Sequence, residues 1–138
     1  MKSLTFSLIT LLMAGFIMAF VVPQTQKKGG AWNIPEKYQK MTNPHAGNAE
    51  LVKIGKMAYA KHCKSCHGAT GVGDGPKAKQ LETFPGDFTS ADFHKMSDGE
   101  MFYKSIIGRD EMPNYESKIP DDEERWALIL YMRSEFKK

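Results

Sequence analysis

The stretch KHCKSCHG contains the only two cysteines of the chain, Cys63 and Cys66, followed directly by His67. Three chemistries use such a pair: a redox disulfide, a zinc site and covalent attachment of haem. A redox pair is expected after a β-strand, and here the pair ends a predicted helix in a chain without a convincing strand. A zinc site would have to close a tetrahedron with ligands crowded into one short stretch. Haem attachment fits both the spacing and the adjacent histidine.

In the haem interpretation, the two thiols add to the two vinyl groups of the porphyrin and His67 supplies an axial nitrogen to the iron. Haem of this type is attached outside the cytoplasm, so the interpretation requires that the protein be exported. The N-terminus of the chain bears on that requirement.

The N-terminal residues have the pattern of an export signal. Lys2 precedes SLTFSLITLLMAGFIMAFVV, residues 3–22, which is uncharged and mostly apolar. A run of about 20 apolar residues is also long enough for a transmembrane helix. We therefore predict that residues 1–22 are a signal peptide or an uncleaved membrane anchor, with membrane attachment through residues 3–22 in the second case. The remainder would be periplasmic or anchored on the outer face of the cytoplasmic membrane.

The charge balance excludes one class of function. The chain has 19 Lys and Arg and 16 Asp and Glu, a net charge of +3, which falls to 18 − 16 = +2 without Lys2. A nucleic-acid-binding protein would be strongly basic, so no nucleic-acid partner is expected. In the haem interpretation both thiols are used for attachment, and the chain shows no nucleophile–base set of its own. We therefore expect it not to be an enzyme by itself.

Three helices have clear signals at their ends. Asn48 can cap a helix over about residues 49–62. The capping box SDGE, residues 97–100, begins a second helix that Gly108 would end. The acidic run DDEE, residues 121–124, begins the last helix, whose apolar centre WALILYM should be buried. The sequence therefore predicts an all-α fold.

The segments between these helices define the predicted organisation. Residues 23–48 are predicted to form a linker and an extended arm, because they are polar and contain prolines. Residues 69–95 are rich in turn formers and have no sustained period, which is typical of a loop wrapped around a functional feature. Residues 49–138 form the predicted domain that carries the Cys-x-x-Cys-His motif.

Four segments give the chain a family resemblance: GKMAYAKHCKSCHG, TGVGDGPKAKQL, SDGEMFYKSIIGRDEMPNY and ERWALILYMR. From about residue 32 to 136 the chain resembles the small single-haem class I c-type cytochromes of bacteria. The resemblance implies a cytochrome c-like fold, in which three main helices and short ones wrap around one covalently bound haem c, with long ordered loops. It also implies that Gly55 packs against an aromatic residue of the last helix, here Tyr131. The arm WNIPEKYQKMTNP is absent from minimal family members, and we expect it to lie across the domain surface.

Met112 is the candidate for the second axial ligand. Pro113 biases Met112 towards an extended backbone, and no packing pattern explains a methionine in this polar loop. The other three methionines after the motif fit a helix start or the core. The resemblance points the same way, since the family has its ligand methionine in a Met-Pro pair at this place. His94 and an open or water-bound position are the alternatives, whereas His45 and His62 are expected to be exposed.

Two further features lie near the motif. The resemblance assigns Pro76, in GDGP, as the proline whose carbonyl accepts a hydrogen bond from the proximal imidazole; a plain turn is the alternative. Four lysines form either a basic rim for acidic partners or ordinary solvated side chains: Lys61, Lys64, Lys77 and Lys79.

With His67 and Met112 both bound, the iron has no open position. The predicted function is one-electron transfer in a respiratory-type chain, between redox partner proteins that the sequence does not identify. One alternative is a fixed haem c subunit of a larger membrane oxidoreductase complex. Another is an open-site haem protein that reacts with a gas or a peroxide, which requires that Met112 does not bind the iron.

Overall fold

A computed structural model describes residues 25–137, and helices are the only extended regular structure within them. The α-helices are α1 (Glu36–Gln39), α2 (Ala49–His62), α3 (Lys64–His67), α4 (Ala91–Lys95), α5 (Asp98–Phe102) and α6 (Asp122–Glu135). In this region, β-type pairing is limited to two isolated bridges, Lys27 with Thr83 and Arg109 with Met112. The predicted all-α fold class is confirmed.

Gly55 allows the two long helices, α2 and α6, to cross closely. A Cβ atom at this position would overlap the backbone carbonyl of Ala127 and lie 2.8 Å from the Cβ atom of Tyr131. The expected contact with Tyr131 is therefore present, and its close approach offsets the cost of a glycine inside a helix. Beside the crossing, the rings of Tyr59, Tyr131 and Phe136 pack together with centroids 5.2–5.7 Å apart.

The helix starts follow the predicted caps. The Asn48 side chain accepts a hydrogen bond of 3.1 Å from the backbone N–H of Glu50 at the start of α2. Asp121 accepts one of 2.8 Å from Glu124 at the start of α6. At the start of α5, the predicted capping box at residues 97–100 is complete in both directions.

The second predicted helix differs from the expectation in its second half. It is α-helical only through Phe102, and residues Tyr103–Ile107 then form a π-helical turn before Gly108, whose φ is +70°. Turns of this type are rare and are frequently found at functional sites. Lys104 and Ser105 of this turn line the main cavity described below.

The arm at residues 33–48 packs on the domain with most of its residues exposed, and it is not extended throughout. It contains the short helix α1, and the ring of Tyr38 stacks on Phe102 with centroids 6.4 Å apart. The buried side chain of Asn43 donates a hydrogen bond of 3.0 Å to the carbonyl of Trp126 in α6. The arm therefore contributes these two contacts to the core, and helix α1 departs from the extended conformation expected from the prolines.

The segment 69–95 is more ordered than its composition predicts. It includes a 3₁₀ turn, Ala78–Gln80, and helix α4, which Ser90 caps by accepting a bond of 3.3 Å from the N–H of Phe93. A helix of five residues is too short to show a period in the sequence, so it was not predicted.

The predicted signal peptide or anchor, residues 1–22, lies outside the described residues. Across residues 25–137, every helix is too short or too polar to cross a bilayer.

Candidate haem site

The Cys-x-x-Cys-His motif is built from local backbone bonds at the end of α2. The N–H of Cys63 donates to the carbonyl of Tyr59 at 2.9 Å, which continues the pattern of α2 into the motif. The N–H groups of Cys66 and His67 then donate to the carbonyl of Cys63, at 3.1 and 3.0 Å, and form the turn α3. Both cysteines are free thiols, and both face one cavity. Burial raises the pKa of the Cys63 thiol to about 12.

This cavity has a volume of about 630 Å³, within the range of sites that enclose a small molecule or cofactor. Its wall combines both cysteines and His67 with aromatic and apolar side chains and a few polar groups. The residues that line this wall include His62, Cys63, Cys66, His67, Phe84, Phe88, Phe93, Met101, Lys104, Arg109, Met112 and Tyr115.

His67 is held as a neutral imidazole on the cavity wall. Its ring is only 7% exposed and stacks on Phe88 with centroids 4.5 Å apart, and Phe88 in turn stacks on Phe93 at 4.6 Å. Burial lowers the pKa of His67 to about 4, so the ring keeps a free lone pair at neutral pH. Its buried Nδ1 atom has no hydrogen-bond partner within the described part of the chain. A neutral imidazole can bind a metal through one ring nitrogen while the other nitrogen donates a hydrogen bond, so His67 is suited to bind a metal.

Pro76 lies beside the motif but outside the cavity. Its two neighbours are bonded to the motif backbone: the N–H of Gly75 donates to Cys66 at 3.2 Å, and that of Lys77 to Ser65 at 2.8 Å. Since Nδ1 of His67 has no partner, the predicted bond to the Pro76 carbonyl is not made in this structure.

Met112 lies on the same cavity wall as the cysteines and His67, at the end of a tight turn. Within this turn, the N–H groups of Arg109 and Met112 each donate to the other's carbonyl at 2.8 Å. Asp110 has a φ of +49°, and Gly108, before the turn, has a backbone conformation open essentially only to glycine. Gly108 also fits against the Pro113 carbonyl, which would lie 2.6 Å from an added Cβ atom. The geometry therefore brings together the four cavity residues that the sequence predicts.

The other histidines are placed differently from the expectation. His94, the alternative axial ligand, lies off the cavity, and its Nε2 atom is 3.0 Å from the carbonyl of Phe136. His45 and His62 were expected to be exposed, but both are half-buried. His62 even lines the cavity, with a buried Nε2 atom that has no partner among residues 25–137. It lies there because its ring packs edge-on against Tyr115, with centroids 5.6 Å apart.

The basic groups at the cavity are not the four lysines near the motif. Lys61, Lys64, Lys77 and Lys79 are exposed, and none of them lines the cavity. Lys28, Lys104 and Arg109 do. Nζ of Lys104 lies 2.9 Å from the sulfur of Met96, and burial lowers the pKa of this lysine.

Sequence reasoning missed a part of the wall that comes from the N-terminal residues. Lys28, Gly29, Gly30 and Trp32 line the cavity, although their composition indicates a linker. The one available signal is Trp32, a large aromatic residue in an otherwise polar stretch.

An all-helical domain that presents Cys-x-x-Cys-His on the wall of such a cavity is a c-type cytochrome. Residues 50–132, more than half of the chain, match the family described as cytochrome C oxidase, cbb3-type, subunit III. The chain belongs to this family. No curated protein matches it.

The cofactor of such a domain is covalently bound haem c, and the cavity residues fit it. Two thiols stand at the required spacing beside a neutral imidazole, and aromatic rings line the space next to them. The predicted cytochrome c-like fold and the predicted cofactor are both confirmed.

Proposed function

We propose that the chain is a one-electron carrier of a respiratory-type chain, with haem c attached through Cys63 and Cys66 and ligated by His67 and Met112. The observation that carries this proposal is that both ligand candidates line the cavity that both thiols face. Haem c supplies the one-electron redox chemistry when bound. The role of the chain is to bind the group, exclude water and set its potential.

Five residues at or beside the cavity have defined roles in this proposal. His67, kept neutral by burial, provides the nitrogen ligand, and the rings of Phe88 and Phe93 shield that side from water. Met112 provides a thioether on the loop side, and a thioether ligand together with burial raises the reduction potential. Pro76 would accept a bond from Nδ1 of His67 through its carbonyl, because its loop is bonded directly to the motif backbone.

The second candidate is a fixed haem c subunit of a membrane oxidase complex, which the family favours. The position of Gln26, near the start of the described residues, agrees with this second candidate. The Gln26 side chain donates to the carbonyls of Ala78 and Leu81, at 2.5 and 3.1 Å, next to the cavity. If residues 3–22 are an anchor, residues 23–25 span at most about 10 Å, and the haem would stay close to the outer membrane surface.

Membrane extraction separates these two candidates. A diffusible periplasmic carrier is released from washed membranes by salt, or is found in the periplasmic fraction. A fixed subunit requires detergent and then elutes with other haem-containing chains. The redox partners are identified in the second case by the chains that elute together.

Carbon monoxide tests the ligand set of either candidate. The visible spectrum of the reduced, haem-loaded protein is recorded before and after addition of the gas. With Met112 on the iron we expect little change, whereas Met112→Ala should give a full carbonyl spectrum and an altered ferric spectrum. The matched control is Met57→Ala, because Met57 is a 65% exposed methionine of α2 that lies away from the cavity. A rapid, full shift in the unmodified protein would instead support the open-site alternative, and Met112 would not be the ligand.

A further inference from the structure

The turn that carries Met112 is connected to two distant segments of the chain by charged side chains. One segment is residues 26–32, here called the strap, and the other is residues 82–84. Arg109 and Glu111, both within the turn, make these connections. The strap and residues 82–84 are also bonded to each other.

Arg109 ties the turn to the strap. Its guanidinium donates one hydrogen bond of 2.6 Å to the carbonyl of Ala31 and a second one to the carbonyl of Gly30. The same group stacks over the ring of Trp32, with its central carbon 4.1 Å from the ring centroid. Hydrogen bonds from a charged donor are stronger than neutral ones, and the planar guanidinium makes two of them together with the stacking contact.

Glu111 ties the other side of the turn to residues 82–84. One carboxylate oxygen accepts a bond of 3.0 Å from the N–H of Glu82, and the other accepts one of 2.9 Å from Thr83. Both are charge-assisted bonds to backbone groups, so they fix the position of the carboxylate and of the turn that bears it.

The strap completes the ring of contacts. The N–H of Lys27 donates to the carbonyl of Glu82 at 2.9 Å, and the N–H of Phe84 donates to the carbonyl of Lys27 at 3.0 Å. The Gln26 side chain adds the two bonds to the 78–81 segment described above. The turn, the strap and residues 82–84 thus hold one another in place at the rim of the cavity.

We propose that Arg109, Glu111 and the strap are positioning elements for Met112, which keep its sulfur at the iron and thereby set how often the ligand side opens. This inference rests on the proposed ligation by Met112. Among the described residues, the other polar contacts of the turn are its two internal backbone bonds and the ion pair of Arg109 with Asp110. Loss of a side-chain tie therefore leaves Met112 on a segment that moves more freely. The strap would then be a functional part of the haem site, although it lies outside the matched family region at residues 50–132.

The test uses the haem-loaded full chain with Arg109→Gln and Glu111→Gln. Two readouts report Met112 directly: the ferric charge-transfer band of a thioether ligand, and the rate at which the reduced haem binds carbon monoxide at a fixed gas concentration. We expect each substitution to weaken the band and to raise the rate of carbonyl formation about tenfold, the effect of losing one charge-assisted hydrogen bond.

Arg133→Gln is the matched control. Arg133 also bonds two backbone carbonyls, those of His94 and Met96, and pairs with Asp98, but it is tied to neither the turn nor the strap. Its loss should lower the urea midpoint without changing the band or the rate of carbonyl formation. If Arg109→Gln and Glu111→Gln behave like this control, the positioning role is refuted.

Met112→Ala separates the two levels of the proposal. If Met112→Ala abolishes the band while the turn variants leave it intact, the ligand assignment stands and the positioning role fails. If Met112→Ala leaves the ferric spectrum unchanged, the ligand assignment itself fails, and the positioning role fails with it. Should Arg109→Gln not accumulate as folded protein, Trp32→Leu keeps both carbonyl bonds of Arg109 and removes its stacking contact, together with the edge-on contact of the ring with Tyr103. It is expected to shift both readouts in the same direction.

Discussion

The two sides of the haem cavity are built by different means. On the cysteine side, Cys63, Cys66 and His67 follow α2 without interruption, and backbone bonds between residues three or four apart fix their spacing. On the loop side, Met112 lies on a turn held by the strap and by residues 82–84, far away in sequence. One side is local structure, and the other is an assembly of remote segments.

This difference indicates where the site is rigid and where it opens. Local helical bonds persist as long as α2 is packed on α6, so the cysteine side should share the stability of the core. The loop side depends on polar contacts between exposed or half-buried segments, which open at a lower free energy. With Met112 as the proposed ligand, the iron is therefore expected to open on the loop side.

The largest effect is expected from removing the thiols on the cysteine side. Cys63→Ser with Cys66→Ser abolishes covalent attachment, because the hydroxyl does not form the thioether bonds. Extraction with acidified organic solvent should then remove all haem from the variant and none from the unmodified protein. Met112→Ala, a change on the loop side, should retain its haem in the same extraction. Loss of haem from Met112→Ala would contradict the division between the two sides.

A second comparison uses two glycines, one near each proposed ligand. Gly68 follows His67 and Gly108 precedes the Met112 turn, and both have the backbone conformation that is open essentially only to glycine. Substitution by Ala should therefore lower the free energy of unfolding by about 1–3 kcal/mol at either position, measured by urea unfolding.

The two glycine variants should differ at the iron. A Cβ atom at Gly108 would meet the backbone carbonyls of Met112 and Pro113, so the turn itself has to shift. At Gly68 the nearest group is the carboxylate end of Asp74, which can rotate away. We expect Gly108→Ala to increase carbon monoxide binding and Gly68→Ala to leave it unchanged. Equal carbonyl formation in both variants would show that the loop side is no more easily displaced than the other.

The third prediction concerns a bond that joins the two sides. The hydroxyl of Tyr115, on the loop, donates a hydrogen bond of 2.9 Å to the carbonyl of His62 at the end of α2. Tyr115→Phe should lower the free energy of unfolding by about 1 kcal/mol, the typical value of one such bond. Tyr103→Phe is the control, since the Tyr103 hydroxyl has no hydrogen bond among the described residues. A loss in Tyr115→Phe no larger than in the control would mean that this bond does not couple the two sides.

The same contrast explains what the sequence could predict. The motif, the caps at Asn48 and at residues 97–100, and the close helix approach at Gly55 were predictable, because each depends on residues near one another in the chain or on a glycine in a helical pattern. Met112 could be proposed from Pro113 and from the family resemblance, and its position on the cavity wall agrees.

What the sequence could not predict depends on long-range contacts. No local pattern indicates that Arg109 would reach the carbonyls of Gly30 and Ala31, because the partners are backbone atoms of a polar, glycine-containing stretch. The half-buried position of His62 likewise results from the ring of Tyr115, more than fifty residues later in the chain. The π-helical turn at Tyr103–Ile107 was also missed, since its sequence is that of an ordinary amphipathic helix.

The smallest effect is expected from pH, acting through His62 where the two sides meet. Burial, with a further contribution from Lys61, lowers the pKa of His62 below its ordinary value of 6.5; Lys118 adds to this and Glu124 opposes it. In the folded protein the ring therefore stays neutral at a pH where the unfolded chain binds a proton. The stability that this provides is complete above the unfolded pKa and decreases as the pH falls below about 6.5.

Urea unfolding of the haem-loaded protein between about pH 7.5 and 5.5 measures this contribution. The midpoint of the unmodified protein should fall on acidification, and that of His62→Gln should fall less, because glutamine does not titrate. The same acidification should increase carbon monoxide binding only slightly, since the ring of His62 packs on Tyr115 and not on the turn that bears Met112. Parallel pH curves for the two proteins would mean that His62 is protonated equally in the folded and unfolded states, and that the meeting point of the two sides is open to water.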